Sequence, residues 1–492
     1  MRITDTARQL QVMLHALEAD VIPDLQSRNA QVTAGLIKTN LEDLLKREQA
    51  APTLLAAANR EGAHLIAAMQ SLLDGTELSP SNPPVEVPCF ASVRSEHETL
   101  TTRIAVLVAA LSAARTVAND ATTSALLRRA AEWECDIYVR WAAPVSQELG
   151  NEKLQDDPLP QAALEAFIQS VHPDRTAAII TEFERLHGGF AKQTFKFSLR
   201  DASGNTGEFI ARKMDRVPVF STKAFLIERE FVLLQALHQA GFPVAKPLWV
   251  TTTPPKGADA NFCITEKSPG SPPGSFLGGA SQLPERLLFD LAELLARLHG
   301  LSLDTFSDYI DRFEGRQLRT ESVETCYKRT VADWRRYTSE VEHLASPVVA
   351  YLFDWLDRNA PRDTRPPVLV HADFNIHNVL AVGDQITTVL DWESAMFGAP
   401  EQDLAWIKPH VSKHIDWDKF VAHYVASGGR KPDLKSINYY AAFSAMYSLA
   451  GVSRSVRNLQ SGEVPDIRIT MIEQAFAAHL MNYALASTAN IS

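Results

Sequence analysis

Basic residues are in short supply here: 48 Lys and Arg against 59 Asp and Glu, a formal net charge of -11 over 492 residues. No dense Lys/Arg run occurs. An acidic chain binds a phosphate backbone poorly, so no nucleic-acid partner is expected. Cysteine is sparse as well. Cys89, Cys135, Cys263 and Cys326 lie scattered, with no C-x-x-C pair and no zinc spacing, so they read as reduced thiols. No apolar run reaches the roughly 18 residues that would suggest a membrane span. No N-terminal hydrophobic stretch precedes a cleavage site. The expectation is a cytoplasmic protein with no membrane partner. Hydrophobic residues at 46% and charged residues at 22% suit ordinary globular domains, and the length allows two or more of them.

The informative stretch is His371-Ala372-Asp373-Phe374-Asn375-Ile376-His377-Asn378, followed by Val389-Leu390-Asp391-Trp392-Glu393. Asp and Asn stand five residues apart, and a second Asp ends a short apolar run. Phosphoryl transfer needs that set. One carboxylate accepts or orients the proton of an attacking hydroxyl, while an amide oxygen and another carboxylate hold the magnesium that bridges the phosphates. The spacing is that of the kinase catalytic loop, H-x-D-x-x-x-x-N. At average residue usage the first motif arises by chance in roughly one chain in fifty of this length; the correctly placed Asp391 makes accident much rarer. Pro367 to Val370 reads as a buried strand entering the loop. Val379 to Val382, Gly383-Asp384, then Ile386 to Leu390 reads as a hairpin with Asn378 on one arm and Asp391 on the other.

In this form the stretch resembles the aminoglycoside phosphotransferase and choline kinase-like superfamily. Leu390-Asp391-Trp392-Glu393, Gly398-Ala399-Pro400 and Asp403-Leu404-Ala405-Trp406 look like its phosphotransferase-family branch, which includes kinase domains found with acyl-CoA dehydrogenases. Ala372 stands where the superfamily usually has Gly and protein kinases have Arg, which argues against regulation by a phosphorylated activation loop. The resemblance implies an α+β protein: a bilobal protein-kinase-like fold with an antiparallel-sheet N-lobe and a mainly helical C-lobe, preceded by an all-α helical bundle.

A nucleotide lobe must then lie upstream. Gly188 and Gly189 fall in a turn before the strand Lys192 to Phe197, where glycine lets backbone amides approach phosphate oxygens. On the next strand, Glu208 to Met214, alternation puts Ala211 and Lys213 on one face and Ile210 and Arg212 on the other. Ala211-x-Lys213 resembles a small residue under adenine followed by the phosphate-binding lysine. Relatives of the branch often carry Arg at the position of Arg212, so both cations stay open, with Lys213 preferred. The helix from Ala224 to Leu237 carries Glu230, which matches the superfamily's cation-pairing acid. Phe262 to Gly270 looks like the hinge strand, with backbone around Thr265, Glu266 and Lys267 expected to meet the adenine edge. His299 and His371 read as structural. Glu393 is expected to reinforce the metal shell.

The rest divides by composition. Residues 1–150 read as a bundle of four or five helices of unknown role, including Thr33 to Arg47 and a separate helix from Pro52 to Leu73, with Pro52 in its first turn. Residues 151–170 form a linker, 171–270 the N-lobe and 271–492 the C-lobe. His97, Glu132, Glu134 and Cys135 lack the spacing of a metal motif. Trp334, Trp406, Tyr439, Tyr440 and Phe443 make the C-lobe aromatic, compatible with a partly apolar acceptor although core packing accounts for most of them. The expectation is a kinase moving the γ-phosphate of ATP (or GTP), with Mg2+, to a hydroxyl of a small metabolite such as a hydroxy acid or hydroxyacyl thioester. Alternatives are an antibiotic phosphotransferase of the aminoglycoside or macrolide type and a nucleotide-binding pseudokinase scaffold. A homodimer stays open.

Overall fold

The computed structural model describes residues 6–26, 28–75, 90–141, 159–171, 179–186, 192–201, 204, 206–215, 217–220, 226–274, 283–341, 343–464, 469 and 472–489. Four helices come first: α1 (Thr6–Ala16), α2 (Arg28–Asp74), α3 (Phe90–Ala113) and α4 (Asp120–Trp141). Then follow α5 (Gln161–Val171), strands β1 (Ile179–Leu186), β2 (Lys192–Arg200) and β3 (Thr206–Met214), α6 (Ile227–Gln239), β4 (Pro247–Val250), β5 (Phe262–Glu266) and α7 (Glu285–His299). Helices α8 (Val323–Glu340) and α9 (Pro347–Arg358) lead to β6 (Val368–Val370), the hairpin β7 (Val379–Val382) and β8 (Gln385–Val389), and β9 (Met396–Gly398). The chain closes with α10 (Pro400–Val411), α11 (Trp417–Ala426), α12 (Ile437–Gln460) and α13 (Ala477–Thr488). Among the described residues no helix is long and apolar enough to cross a membrane.

The chain groups into two compact units. One comprises Met1–Leu154, Lys328–Ala360 and Ala441–Ser492; the other comprises Gln155–Tyr327 and Pro361–Tyr440. The first unit therefore contains more than the N-terminal helices. Helix α9 starts against α4, where the buried Glu134 carboxylate accepts hydrogen bonds from Ser346 Oγ and from the Val348 amide, both at 2.8 Å. The Val348 amide is an orphan donor of a helix N-terminus, and an acid satisfies it well. Further along α9, Asp354 accepts from Arg115 at 2.7 Å. The two helices expected around Pro52 are one continuous helix of 47 residues with the proline inside it. Proline has no N–H, so the helix gives up one hydrogen bond at this point and still continues.

The second unit is built on a five-stranded antiparallel sheet of order β1-β2-β3-β5-β4. Alternation gives it two unlike faces. On one, Phe195, Phe197, Phe209, Ala211, Phe262 and Ile264 pack with Leu164 and Ile168 of α5. Each fully buried side chain of this kind contributes roughly 1.5–3 kcal/mol. On the other, Cys263 of β5 packs with Ile227 and Phe231 of α6, flanked by Met214 and Val250. Arg212 pairs across to Cys263 and Lys213 to Phe262, so the two cations leave the sheet on opposite faces.

The β7–β8 hairpin turns at Gly383, whose φ of 58° favours glycine. It is tied to the segment after β5. Ser271 and Ala381 exchange backbone hydrogen bonds at 3.1 and 3.0 Å, and Thr387 Oγ1 donates to the Pro269 carbonyl at 2.7 Å. A Cβ on Gly270 would lie 2.6 Å from the Ala381 oxygen, which explains the glycine there.

Candidate active site

The loop leaving β6 is held from below by a buried carboxylate. Asp403, in the first turn of α10, accepts from the His371 amide at 2.9 Å and from the Ala372 amide at 2.8 Å. It also accepts from His299 Nε2 at 3.1 Å, and the other ring nitrogen of His299 lies 3.0 Å from the Tyr424 hydroxyl. His371 joins two loops. Its Nδ1 accepts from the Asp373 amide, so its Nε2 carries the proton and donates to the Leu390 carbonyl at 2.8 Å. His371 therefore braces the backbone, and His299 holds the carboxylate of Asp403 in place.

Two non-glycine residues among those described have positive φ: Ala372 at 65° and Asp391 at 61°. L-residues adopt this conformation at a cost, and such strain collects at functional sites. Here it sits in the Asp373 loop and at the end of the hairpin. The Ala372 value also explains why glycine suits that position in the resembling superfamily.

Asp373 is gripped by both oxygens. Oδ1 accepts from Trp406 Nε1 at 2.8 Å, and Oδ2 accepts from Asn378 Nδ2 at 2.8 Å. The same nitrogen donates to the Asp373 carbonyl at 2.9 Å. With its nitrogen spent there, Asn378 has its oxygen left to offer a cation. Burial pushes the Asp373 carboxyl up to about 6, helped by the negative charge of Asp391 and opposed by its two hydrogen-bond donors.

Across from this loop lies a ring of charge. Arg212 donates to Glu230 at 2.5 Å and to Asp391 at 2.7 Å. Lys192 donates to the other Glu230 oxygen at 2.7 Å and to Glu393. Glu230, brought in by α6, thus gives one oxygen to each cation. Burial alone would raise the carboxyl of Glu230, but Arg212 and Lys192 hold it below its ordinary value. The same cations outweigh burial at Asp391 and keep it well below the usual carboxylate range. Glu393 goes the other way, raised by burial. Carboxylates whose environments push them apart mark acid–base division of labour.

The structure brings together Asp373, Asn378, Asp391, Glu393, Arg212 and Glu230 out of the residues singled out in the sequence. Lys213 does not join them. Its side chain is wholly buried on the α5 face and pairs with Asp259 at 2.5 Å. The alternation was readable, but which face meets the loop depends on sheet packing. At the expected hinge two backbone donors are already taken. The amides of Glu266 and Lys267 already donate to the carbonyls of Lys246 and Glu208, at 2.9 and 3.1 Å, so neither N–H is open to an adenine edge, and Thr265 lies in the ladder opposite Ile210. Gly188 and Gly189 lie outside the described residues. Sequence reasoning gave Lys192 no role and gave Trp406 only as one of several C-lobe aromatics. Lys192 opens β2, three residues beyond Gly189 in the sequence, a place where a cation could have been noticed. Trp406 lies three residues beyond Asp403, on the same helical face, so the pair reaches one loop.

The aromatics have ordinary partners. Tyr439 and Tyr440 are buried and pack on Tyr327, Phe443 is buried, and Trp334 packs edge-on to Tyr337 and Tyr447. Of that set, Trp406 reaches the site through its hydrogen bond to Asp373.

Hard oxygen donors from Asn378 and Asp391 suit Mg2+, which is held by one or two carboxylates plus phosphate oxygens. Among the described residues no cluster of three or more His, Cys, Asp or Glu forms a metal site without such a ligand.

An antiparallel sheet with a helix-borne acid, facing a loop with Asp and Asn five residues apart, defines a kinase-like phosphotransferase. The chain belongs to the phosphotransferase enzyme family, whose model matches residues 182–440. Over 256 residues it is 31% identical to acyl-CoA dehydrogenase family member 11 of Rattus norvegicus, covering 48% of this chain and 32% of that one. The chain thus spans about a third of the length of that curated relative. Among solved structures, a candidate aminoglycoside phosphotransferase from Ralstonia eutropha is 20% identical with a TM-score of 0.48, covering 67% of this chain and 98% of its own. The aminoglycoside phosphotransferase APH(4)-Ia, solved with ADP and hygromycin B, is 17% identical with a TM-score of 0.43, covering 67% and 100%.

Proposed function

We propose that the protein is an ATP- and Mg2+-dependent kinase that phosphorylates a hydroxyl of a small hydroxy acid or its thioester. The main support is one arrangement: Arg212 reaches both Glu230 and Asp391, while Asp373 has both oxygens fixed by Asn378 and Trp406. At neutral pH a carboxyl at about 6 is ionised yet still basic enough to take a proton. Asp373 accepts or orients the proton of the acceptor hydroxyl. The hydroxyl oxygen bonds to the γ-phosphorus as the bond to the bridging oxygen breaks, and ADP leaves with the electron pair. Trp406 and Asn378 hold the plane of the carboxylate, which leaves lone pairs for the substrate. Arg212 meets the phosphates, and Glu230 sets its position. Bound Mg2+ supplies charge neutralisation of the phosphates, with Asn378 and Asp391 as its protein ligands and Glu393 beside them.

The choice of acceptor draws on likeness to the acyl-CoA dehydrogenase family proteins over about half of this chain. The C-lobe aromatics add little, since most are core. The test is a coupled ADP-release assay offering hydroxyacyl thioesters, free hydroxy acids and kanamycin-type aminoglycosides, with Asp373→Ala as blank. Turnover of a hydroxyacyl substrate is expected. Faster turnover of the aminoglycosides would overturn the acceptor assignment, and nucleotide binding without turnover of any acceptor would favour a scaffold.

A further inference from the structure

We infer that Lys192 is a second phosphate-binding cation, which Glu393 holds until a nucleotide enters. The inference rests on the nucleotide reading above and goes beyond it in assigning the pair. Lys192 is only 6% exposed, yet its ammonium is not neutralised in isolation. It shares Glu230 with Arg212, one oxygen each, so the two cations stand side by side on one acid. Each also grips one carboxylate of the Asp391-Trp392-Glu393 turn: Arg212 takes Asp391 and Lys192 takes Glu393. The arrangement is a closed ring of two cations and three anions. A single strand cation would need only Glu230 to hold it.

The ring holds three carboxylates against two cations, and each cation has one outer carboxylate partner besides Glu230. A polyphosphate offers these cations stronger, multidentate acceptors than the turn carboxylates do. Glu230 remains as the fixed pivot while the outer partners change. Lys192 begins β2 and faces the same Asp391-Trp392-Glu393 turn as Arg212, the cation assigned to the phosphates. Competition between Glu393 and phosphate for one ammonium then sets nucleotide affinity.

Calorimetric titration with ADP in the absence of divalent metal, using the full chain, tests this. Lys192→Gln should weaken ADP about ten- to a hundredfold, the value of a charge-assisted hydrogen bond or two, and leave adenosine affinity unchanged. Glu393→Gln should tighten metal-free ADP, because it removes the competitor. If Lys192→Gln fails to fold, the double variant Lys192→Gln/Glu393→Gln removes both charges together and should still bind ADP more weakly than Glu393→Gln. Equal ADP affinity in wild type and Lys192→Gln, or in Glu393→Gln and the double variant, overturns the inference alone. A parallel loss of adenosine binding also overturns it, since that is a structural defect. A wild type that binds neither ADP nor Mg-ADP overturns the nucleotide reading with it.

Discussion

Asp373 and Trp406 show what a single hydrogen bond should do to the chemistry. The indole N–H favours the ionised carboxylate, so removing it raises the carboxyl further above about 6. Activity should therefore fall below pH about 6 in the wild type, as Asp373 gains its proton. In Trp406→Phe the acidic limb of the kcat/KM profile should move to higher pH; an unmoved limb would show that Asp373 does not carry it. Arg212 and Lys213 make a second contrast. Arg212→Ala should cost nucleotide affinity. Lys213→Met should instead cost up to about 3 kcal/mol of stability, by stranding Asp259, with Mg-ADP affinity within threefold of wild type. Thermal melts and calorimetry separate the two, and loss of affinity in Lys213→Met would reverse the assignment. Spacing made Asp373, Asn378 and Asp391 legible, and the family resemblance singled out Glu230. Spacing could not rank Arg212 against Lys213, because strand alternation separates the faces without saying which one α6 covers.

Two elements set the loop: the strained entry after β6 and the acid of α10 that supports it. Ala372 has φ 65° and is buried beside Val368, Val370 and Met396. Glycine there relieves strain but loses a methyl and gains unfolded-state entropy, so Ala372→Gly should change stability by less than about 1 kcal/mol. A β-branched side chain is a genuine outlier in this conformation. Ala372→Val should lower both Tm and kcat, and wild-type behaviour of that variant would mean that the loop tolerates another backbone path. The hairpin, the β6 strand and the α6 helix were all readable from periodicity and turn residues. The continuous α2 was not, since Pro52 is a strong stop signal and only neighbouring structure can override it. The occupied amides of Glu266 and Lys267 were equally hidden, because they depend on the register of β5 with both neighbours.

At the scale of the chain, the first unit gathers residues from three separate stretches. Glu134 satisfies the start of α9, and Arg115 neutralises Asp354. The linker read at residues 151–170 would by itself allow a fragment starting near Pro158 to stand alone. Such a fragment would leave the amide of Val348 and the carboxylate of Asp354 without these partners. It should be insoluble or melt well below the intact chain. A soluble fragment with an unchanged melting temperature would show that α9 does not need the N-terminal helices. Contacts spanning more than 200 residues, as from Glu134 to Ser346, leave no periodic trace in a sequence, which is why composition divided the chain differently.

The central claim is a division of labour: Asp373 serves the acceptor and Asp391 serves the nucleotide with its metal. Calorimetric titration of Mg-ADP into wild type, Asp373→Ala and Asp391→Ala tests it most directly. Asp373→Ala should bind Mg-ADP nearly as wild type does, while losing about 10^2- to 10^4-fold in turnover as a missing general base does. Asp391→Ala should lose affinity and turnover together. Equal loss of Mg-ADP affinity in both variants would contradict the account.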